Sequence, residues 1–135
     1  AAYMNVRQLQ FGITDMAWHS LTEPLVGDVV DFEVAASAST QILPVVEGVA
    51  MAPAFSHIFA GGYAAGYYGY KWAEVLDADA FSLFQEKGIF NREVADLFRK
   101  NLLSKGGTEH PMELYVKFRG HKPETKALID RMNLK

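Results

Sequence analysis

Residues 55–70 read FSHIFAGGYAAGYYGY, with four glycines, four tyrosines and one histidine in sixteen positions. An interior glycine lowers helix stability by about 1 kcal/mol against alanine. Gly61-Gly62 therefore predicts a hinge, or a loop where backbone comes close to a ligand. At about 100° per residue, Tyr63, Tyr67 and Tyr70 share one helix face, while Trp72, Leu76 and Leu83 form a packing stripe on the other. Three phenol hydroxyls beside a mobile glycine loop could donate hydrogen bonds to a peptide carbonyl, or to the oxyanion formed when that carbonyl is attacked. One preorganised donor of this kind stabilises a transition state by about 2.7–4 kcal/mol. The same spacing also suits tyrosines that pack by their rings and leave their hydroxyls at the rim. Phe55, Ile58 and Phe59 read as core.

Other chemistries find less support. His19, His57, His110 and His121 form no H-x-x-x-H or H-E-x-x-H pair, so no helix offers two zinc ligands on one face. His19, His110 and His121 read as surface or capping residues; His57 stands apart because it adjoins the glycine loop. There is no G-x-S-x-G, and Ser56-His57 are neighbours without triad spacing. No phosphate loop and no G-x-G-x-x-G occurs. The chain has no cysteine, which removes disulfides, thiolate metal sites and cysteine nucleophiles together.

The elements that must position this segment read as helices. Val6, Leu9, Ile13, Met16 and Ala17 recur at three- and four-residue steps and predict an amphipathic helix over 5–21. Pro24 and Gly27 end it, and Asp28 is placed to cap a second helix reaching Ser37. Gln41 to Pro53, with Pro44 and Gly48, reads as a loop with a short extended piece at Val45-Val46. The longest helix is expected over 64–87, stopped by Gly88. Asn91 should cap a fourth that ends at Gly106-Gly107, and Pro111 and Pro123 should each begin a short helix. The expectation is an all-α fold, with residues 1–135 as a single helical domain carrying a glycine-rich substrate loop at 55–70.

Composition agrees with a globular chain. It has 135 residues, half of them apolar and 21% charged. No run approaches the ~18–20 apolar residues of a membrane span, and no signal peptide is visible. The net charge is −3 but is unevenly spread. Residues 1–90 carry three Lys/Arg against ten Asp/Glu, and residues 91–135 carry ten against six. The tail charges alternate in sign at helical spacing, which reads as solvated helix faces and not as a nucleic-acid surface. The chain opens directly into an amphipathic helix without an initiator methionine, a hint that it belongs to something larger.

FSHIFAGGYAAGYYGYKWAEVLDADAF closely resembles the C-terminal part of the thimet oligopeptidase family of zinc metallopeptidases, which includes oligopeptidase A and the bacterial peptidyl-dipeptidases. RQLQFGITDMAWHS before it, and GIFNREVADLFRKNLLSKGGTEHPMELYVKFRGHKPETKALIDRMNL after it, extend the likeness over nearly the whole chain. The tail reads nearest to the peptidyl-dipeptidase branch. The resemblance implies the C-terminal helical subdomain of a zincin-like catalytic domain, with a channel that admits short peptides. It implies that Tyr63 and Tyr70 bind the substrate backbone and stabilise the tetrahedral intermediate. Tyr67 would help hold the peptide, His57 would contact it near the scissile bond, and Gly61-Gly62 would let the loop close.

The family's H-E-x-x-H and downstream glutamate are absent from this chain, so zinc is expected in the intact parent and none in the chain itself. The expectation is a C-terminal fragment, inactive alone, whose partners are short peptides and the upstream catalytic part of the same polypeptide. Nucleic acid and membrane are not expected as partners, and the expected compartment is the cytoplasm. Without its upstream part the fragment could form a non-biological dimer. Lys71 and Arg119 are candidates for holding a substrate C-terminal carboxylate. The alternative is a free-standing helical module that binds peptides without cleaving them.

Overall fold

The structure is a computed structural model that describes residues 2–134. Among these residues there are helices and turns but no strand. The all-α reading holds, and Val45-Val46 is not part of a strand. The chain divides into two compact units, one ending at Lys71 and one starting at Trp72.

The first unit begins with α1 (Ala2–His19) and α2 (Val29–Ser37). Asp28 caps α2 as its sequence position predicts, its carboxylate accepting from the amides of Val30 at 2.7 Å and Asp31 at 3.2 Å. The segment 41–54 stays irregular until a 3-10 turn at Ala52–Ala54. It is tied to α2 by Glu33, a buried residue whose carboxylate accepts from the amides of Met51 and Ala52 at 2.6 and 2.7 Å. The Trp18 indole donates to the same carboxylate at 3.2 Å. A single-turn helix, α3 (Ser56–Phe59), follows.

The stripe that α1 buries is not its apolar one. Gly12, Thr14 and Asp15 are buried, while Leu9, Ile13 and Met16 are exposed. Gly12 lies inside because Tyr68 packs on it: a Cβ there would sit 3.6 Å from the Tyr68 Cα. Ile58 is fully buried as expected, Phe55 is half-buried, and Phe59 is half exposed and so is not core.

The longest helix, α4 (Gly69–Lys87), starts five residues later than its expected Ala64. Residues 64–68 form successive tight turns, with Gly66 donating to the Tyr63 carbonyl at 2.9 Å and Gly69 to the Gly66 carbonyl at 3.0 Å. In the second unit α4 buries Val75, Ala78 and Asp79, whereas Trp72 is exposed and Leu76 and Leu83 are half-buried. Val75 and Ala78 pack with Leu128.

Asn91 caps α5 (Arg92–Phe98) through the amides of Glu93 and Val94. The helix continues as a π-helical stretch over Arg99–Leu103. Pro111 opens α6 (Pro111–Arg119), where His110 serves as the cap: its Nδ1 accepts from the Met112 amide at 3.2 Å. Pro123 does not begin a helix; α7 (Lys126–Arg131) starts three residues later, after Thr125. Several basic groups of this unit pair with acids, Lys105 and Lys117 with Glu109, Lys126 with Asp130, and Arg131 with Asp77. The charge run is thus a set of solvated helix faces.

Candidate functional site

His57, Tyr63, Tyr67 and Tyr70 come together within the first unit, though not as one face of a helix. Tyr70 stands in the first turn of α4, Tyr67 and Tyr63 on the turns before it, and His57 on α3. The His57 ring lies 4.5 Å from that of Tyr63, 5.7 Å from Tyr67 and 5.8 Å from Tyr70. Tyr63 stacks on Tyr70 at 5.1 Å, and Tyr67 tilts against Tyr70 at the same separation. Phe55 and Phe11 extend this wall behind Tyr67, their rings 5.4 and 5.6 Å from it. The wall is an apolar scaffold from which polar tips project.

Those tips are not equivalent. His57 Nε2 is hydrogen-bonded to the Tyr70 hydroxyl at 2.9 Å. The Tyr70 phenol is pushed up to about 12, first by a hydrogen bond with Tyr63 and then by partial desolvation, with the neighbouring Tyr63 and Tyr67 adding to it. A phenol held this firmly protonated is a hydrogen-bond donor and not a base or a nucleophile. Tyr63 and Tyr70 are 38% and 41% exposed, so both side chains reach solvent. Tyr67 differs: its hydroxyl donates to Gln8 Oε1 at 2.9 Å. Its aromatic face, rather than its hydroxyl, is what it can offer a ligand.

The two glycines have local reasons to be glycine. A Cβ on Gly61 would lie 2.8 Å from both the Cα and the carbonyl oxygen of His57. The Gly61 amide donates to the Ser56 carbonyl at 2.8 Å, closing α3, and Gly62 then takes φ +81°. The pair is a reversal that returns the chain against His57, with exposed residues on both sides.

Sequence reasoning missed the carboxylate behind this loop. Asp15 is fully buried and accepts from the amides of Ala65 and Tyr67, both at 2.9 Å. His19, expected as a surface or capping residue, instead places Nδ1 2.8 Å from Asp15 Oδ1. The signal was present as an acid and a histidine four residues apart on one helix face. His121 is local, with Nδ1 near the Lys122 carbonyl at 2.6 Å.

Of the two candidates for holding a carboxylate, Lys71 donates to Asn5 Oδ1 at 2.8 Å. Arg119 belongs to the second unit, where its guanidinium donates to the Asp79 carbonyl, Ser82 Oγ and Glu86 Oε1. A cavity of about 510 Å³ in that unit is lined by Asp79, Arg119 and Arg131, among others, and by none of the tyrosine cluster. The cluster is an open wall, not an enclosed pocket. Among the described residues, no group of three His, Cys, Asp or Glu is placed to hold a metal ion. No helix among them is long and apolar enough to cross a membrane.

An all-helical chain presenting a tyrosine wall beside a glycine reversal matches the sequence profile of Peptidase family M3 over residues 1–134. The chain belongs to that family. It is similar to oligopeptidase A of Escherichia coli (strain K12), 45% identical over 136 residues that cover all of this chain and 20% of the relative. It is similar also to oligopeptidase A of Haemophilus influenzae, 44% identical over 96% of this chain and 19% of the relative. Dipeptidyl carboxypeptidase of Escherichia coli (strain K12) is 38% identical over 93% of this chain and 19% of its own length. The identities lean toward the oligopeptidase A relatives and not toward the peptidyl-dipeptidase branch expected from the wording of the tail. The chain spans about a fifth of the length of these relatives.

Proposed function

We propose that this chain is the substrate-gripping part of a peptidase of the oligopeptidase A and dipeptidyl carboxypeptidase kind, acting on short peptides. The observation that carries the reading is the joined donor set His57–Tyr70–Tyr63 on an exposed aromatic wall. Tyr63 and Tyr70 would donate to the scissile carbonyl and, more strongly, to the oxyanion that develops there. His57 would orient Tyr70 and contact the peptide near that bond. Tyr67, its hydroxyl already engaged, would pack against the peptide by its ring, and Gly61-Gly62 would let backbone pass close to it.

Zinc, which the family reading implies, does not fit the residues present. The chain has no H-E-x-x-H, and its described carboxylates and histidines form no three-ligand group. The metal, its ligands and the base that activates water would belong to the remaining polypeptide, which is then the principal partner of this chain. Alone, the chain would bind peptides without hydrolysing them. The exposed Leu9, Ile13 and Met16 on α1 would favour contact with that missing part or, in isolation, with a second copy.

The test is made in the complete polypeptide. Tyr63→Phe and Tyr70→Phe should each lower kcat by about 10²–10³-fold, with KM changed far less. Unchanged kcat in both variants would refute the donor assignment. Enzyme-like cleavage of a short peptide by the 135-residue chain supplied with zinc would refute the division of labour.

A further inference from the structure

A carboxyl group sits in a fully buried place only where hydrogen-bond donors meet it. Asp15, midway along α1, has two, the backbone amides of Ala65 and Tyr67 at 2.9 Å each, while His19 Nδ1, 2.8 Å from one carboxylate oxygen, makes its hydrogen bond to the Asp15 main-chain carbonyl at 2.8 Å. The two amides belong to the tyrosine loop, some fifty residues away in sequence. Between them the chain does something a non-glycine residue seldom does, for Ala65 has φ +52°. Such a conformation persists where the surroundings over-determine it, and here the constraint is the pair of bonds to one carboxylate.

Tyr67 is held a second time, through its hydroxyl on Gln8. The stretch before Ala65 is different in kind. Residues 59–65 are all exposed, Gly62 sits at φ +81°, and the Tyr63 amide reaches only the His57 carbonyl at 3.3 Å.

We infer that Asp15 is the positioning residue of this site: it fixes the Ala65–Tyr67 half of the loop, so that rearrangement onto a peptide is confined to the Gly61–Ala64 half. Tyr63 is then the mobile donor, and Tyr67 and Tyr70 are the fixed wall against which it closes. The functional meaning of this division rests on the peptide-gripping role proposed above, but the anchoring itself does not.

Backbone hydrogen exchange in the 135-residue chain tests the anchor first. The Ala65 and Tyr67 amides should be protected in the unmodified protein; exchange at the rates of free amides would overturn the inference without any variant. Asp15→Asn keeps the shape but turns an NH₂ toward one of the two amides. It should speed exchange at both by about 10- to 100-fold and leave the amides of Leu114 to Phe118 unchanged. The same variant should move the Tyr67 ring resonances and leave those of Tyr115 in place, a spectroscopic change that a general loss of stability would not confine to one tyrosine.

Uniform acceleration along the whole chain, or no change at either amide, would overturn the assignment. His19→Gln removes the imidazole but leaves the carboxylate, and should preserve most of the protection; a loss equal to that of Asp15→Asn would also overturn it. A short alanine-rich peptide in millimolar excess separates the two readings. Shifts at Tyr63 and at the Tyr67 and Tyr70 rings, with the exchange of the Ala65 and Tyr67 amides unchanged, support both, and peptide-induced loss of protection at those two amides overturns the anchor. Protection as expected with no peptide-induced shift upholds the anchor and defeats the proposed function.

Discussion

Asp15 in α1 and Asp79 in α4 are both buried carboxylates in the middle of long helices, and they hold different things. Asp15 accepts from loop backbone. Asp79 accepts from side chains of α6: the Tyr115 hydroxyl donates to it at 2.6 Å, and Arg119 Nε lies 3.6 Å from its other oxygen. Arg119 also donates to the Asp79 carbonyl at 3.1 Å and to Ser82 at 3.0 Å. Burial, and then the bond to Asp79, push the Tyr115 phenol well above its usual range. The second carboxylate joins helix to helix, whereas the first joins a helix to a segment with no regular structure of its own. Losing the second should therefore show in stability, and losing the first in the placement of a site.

The sharpest way to break this contrast is Asp79→Ala. It takes the close acceptor from the Tyr115 phenol and leaves Arg119 with Glu86 as its ion-pair partner, and should cost about 2–4 kcal/mol in urea unfolding followed by helical circular dichroism. A cost below about 1 kcal/mol would mean that the network only decorates the packing of Val75, Ala78 and Leu128.

Smaller in expectation is Gly61→Ala. The new methyl must displace the His57 backbone, which lies 2.8 Å from where it would sit. A strained backbone of this kind costs about 1–3 kcal/mol. The loss should be local, with the His57 and Tyr63 resonances shifting and the α6 amides unaffected. Full tolerance would remove the close approach as the reason for glycine there.

The smallest effect is on pH. The folded Tyr70 phenol is raised to about 12 against an ordinary 10. Its contribution to stability is whole below about pH 10 and is lost as pH rises through about 12. Ultraviolet titration should show two tyrosines ionising late, Tyr70 and Tyr115, and Tyr70→Phe should leave one. If only one tyrosine ionises late in the unmodified protein, the contact of Tyr63 with Tyr70 is not made in solution.

The helices, their Asp28 and Asn91 caps and the start of α6 at Pro111 were legible because each follows from local chemistry. So was the grouping of His57 with the three tyrosines, although for a different reason from the one that holds. An unbroken helix from Ala64 would have aligned the rings by its period. Instead, turns at 64–68 deliver them, and their shape is imposed by Asp15 from another part of the chain. Nothing local in AAGYY encodes that bond. The same limit explains α1. Periodicity marks where apolar residues align, but it cannot say whether that stripe faces this unit's interior, where Thr14 and Asp15 lie instead. Pro123 was misread because its fixed φ suits a helix start, yet the chain runs on irregularly to Thr125.

The buried stripe of α1 inverts the usual map of mutational tolerance. In a scan of this chain for solubility and fold, changes at Leu9, Ile13 and Met16 to glutamine or lysine should pass, because water already reaches those side chains. Changes at the polar Thr14 and Asp15, and bulky ones at Gly12, should not. A library designed by protecting hydrophobic positions and varying polar ones would discard the tolerant sites of this helix and randomise the ones that hold its shape.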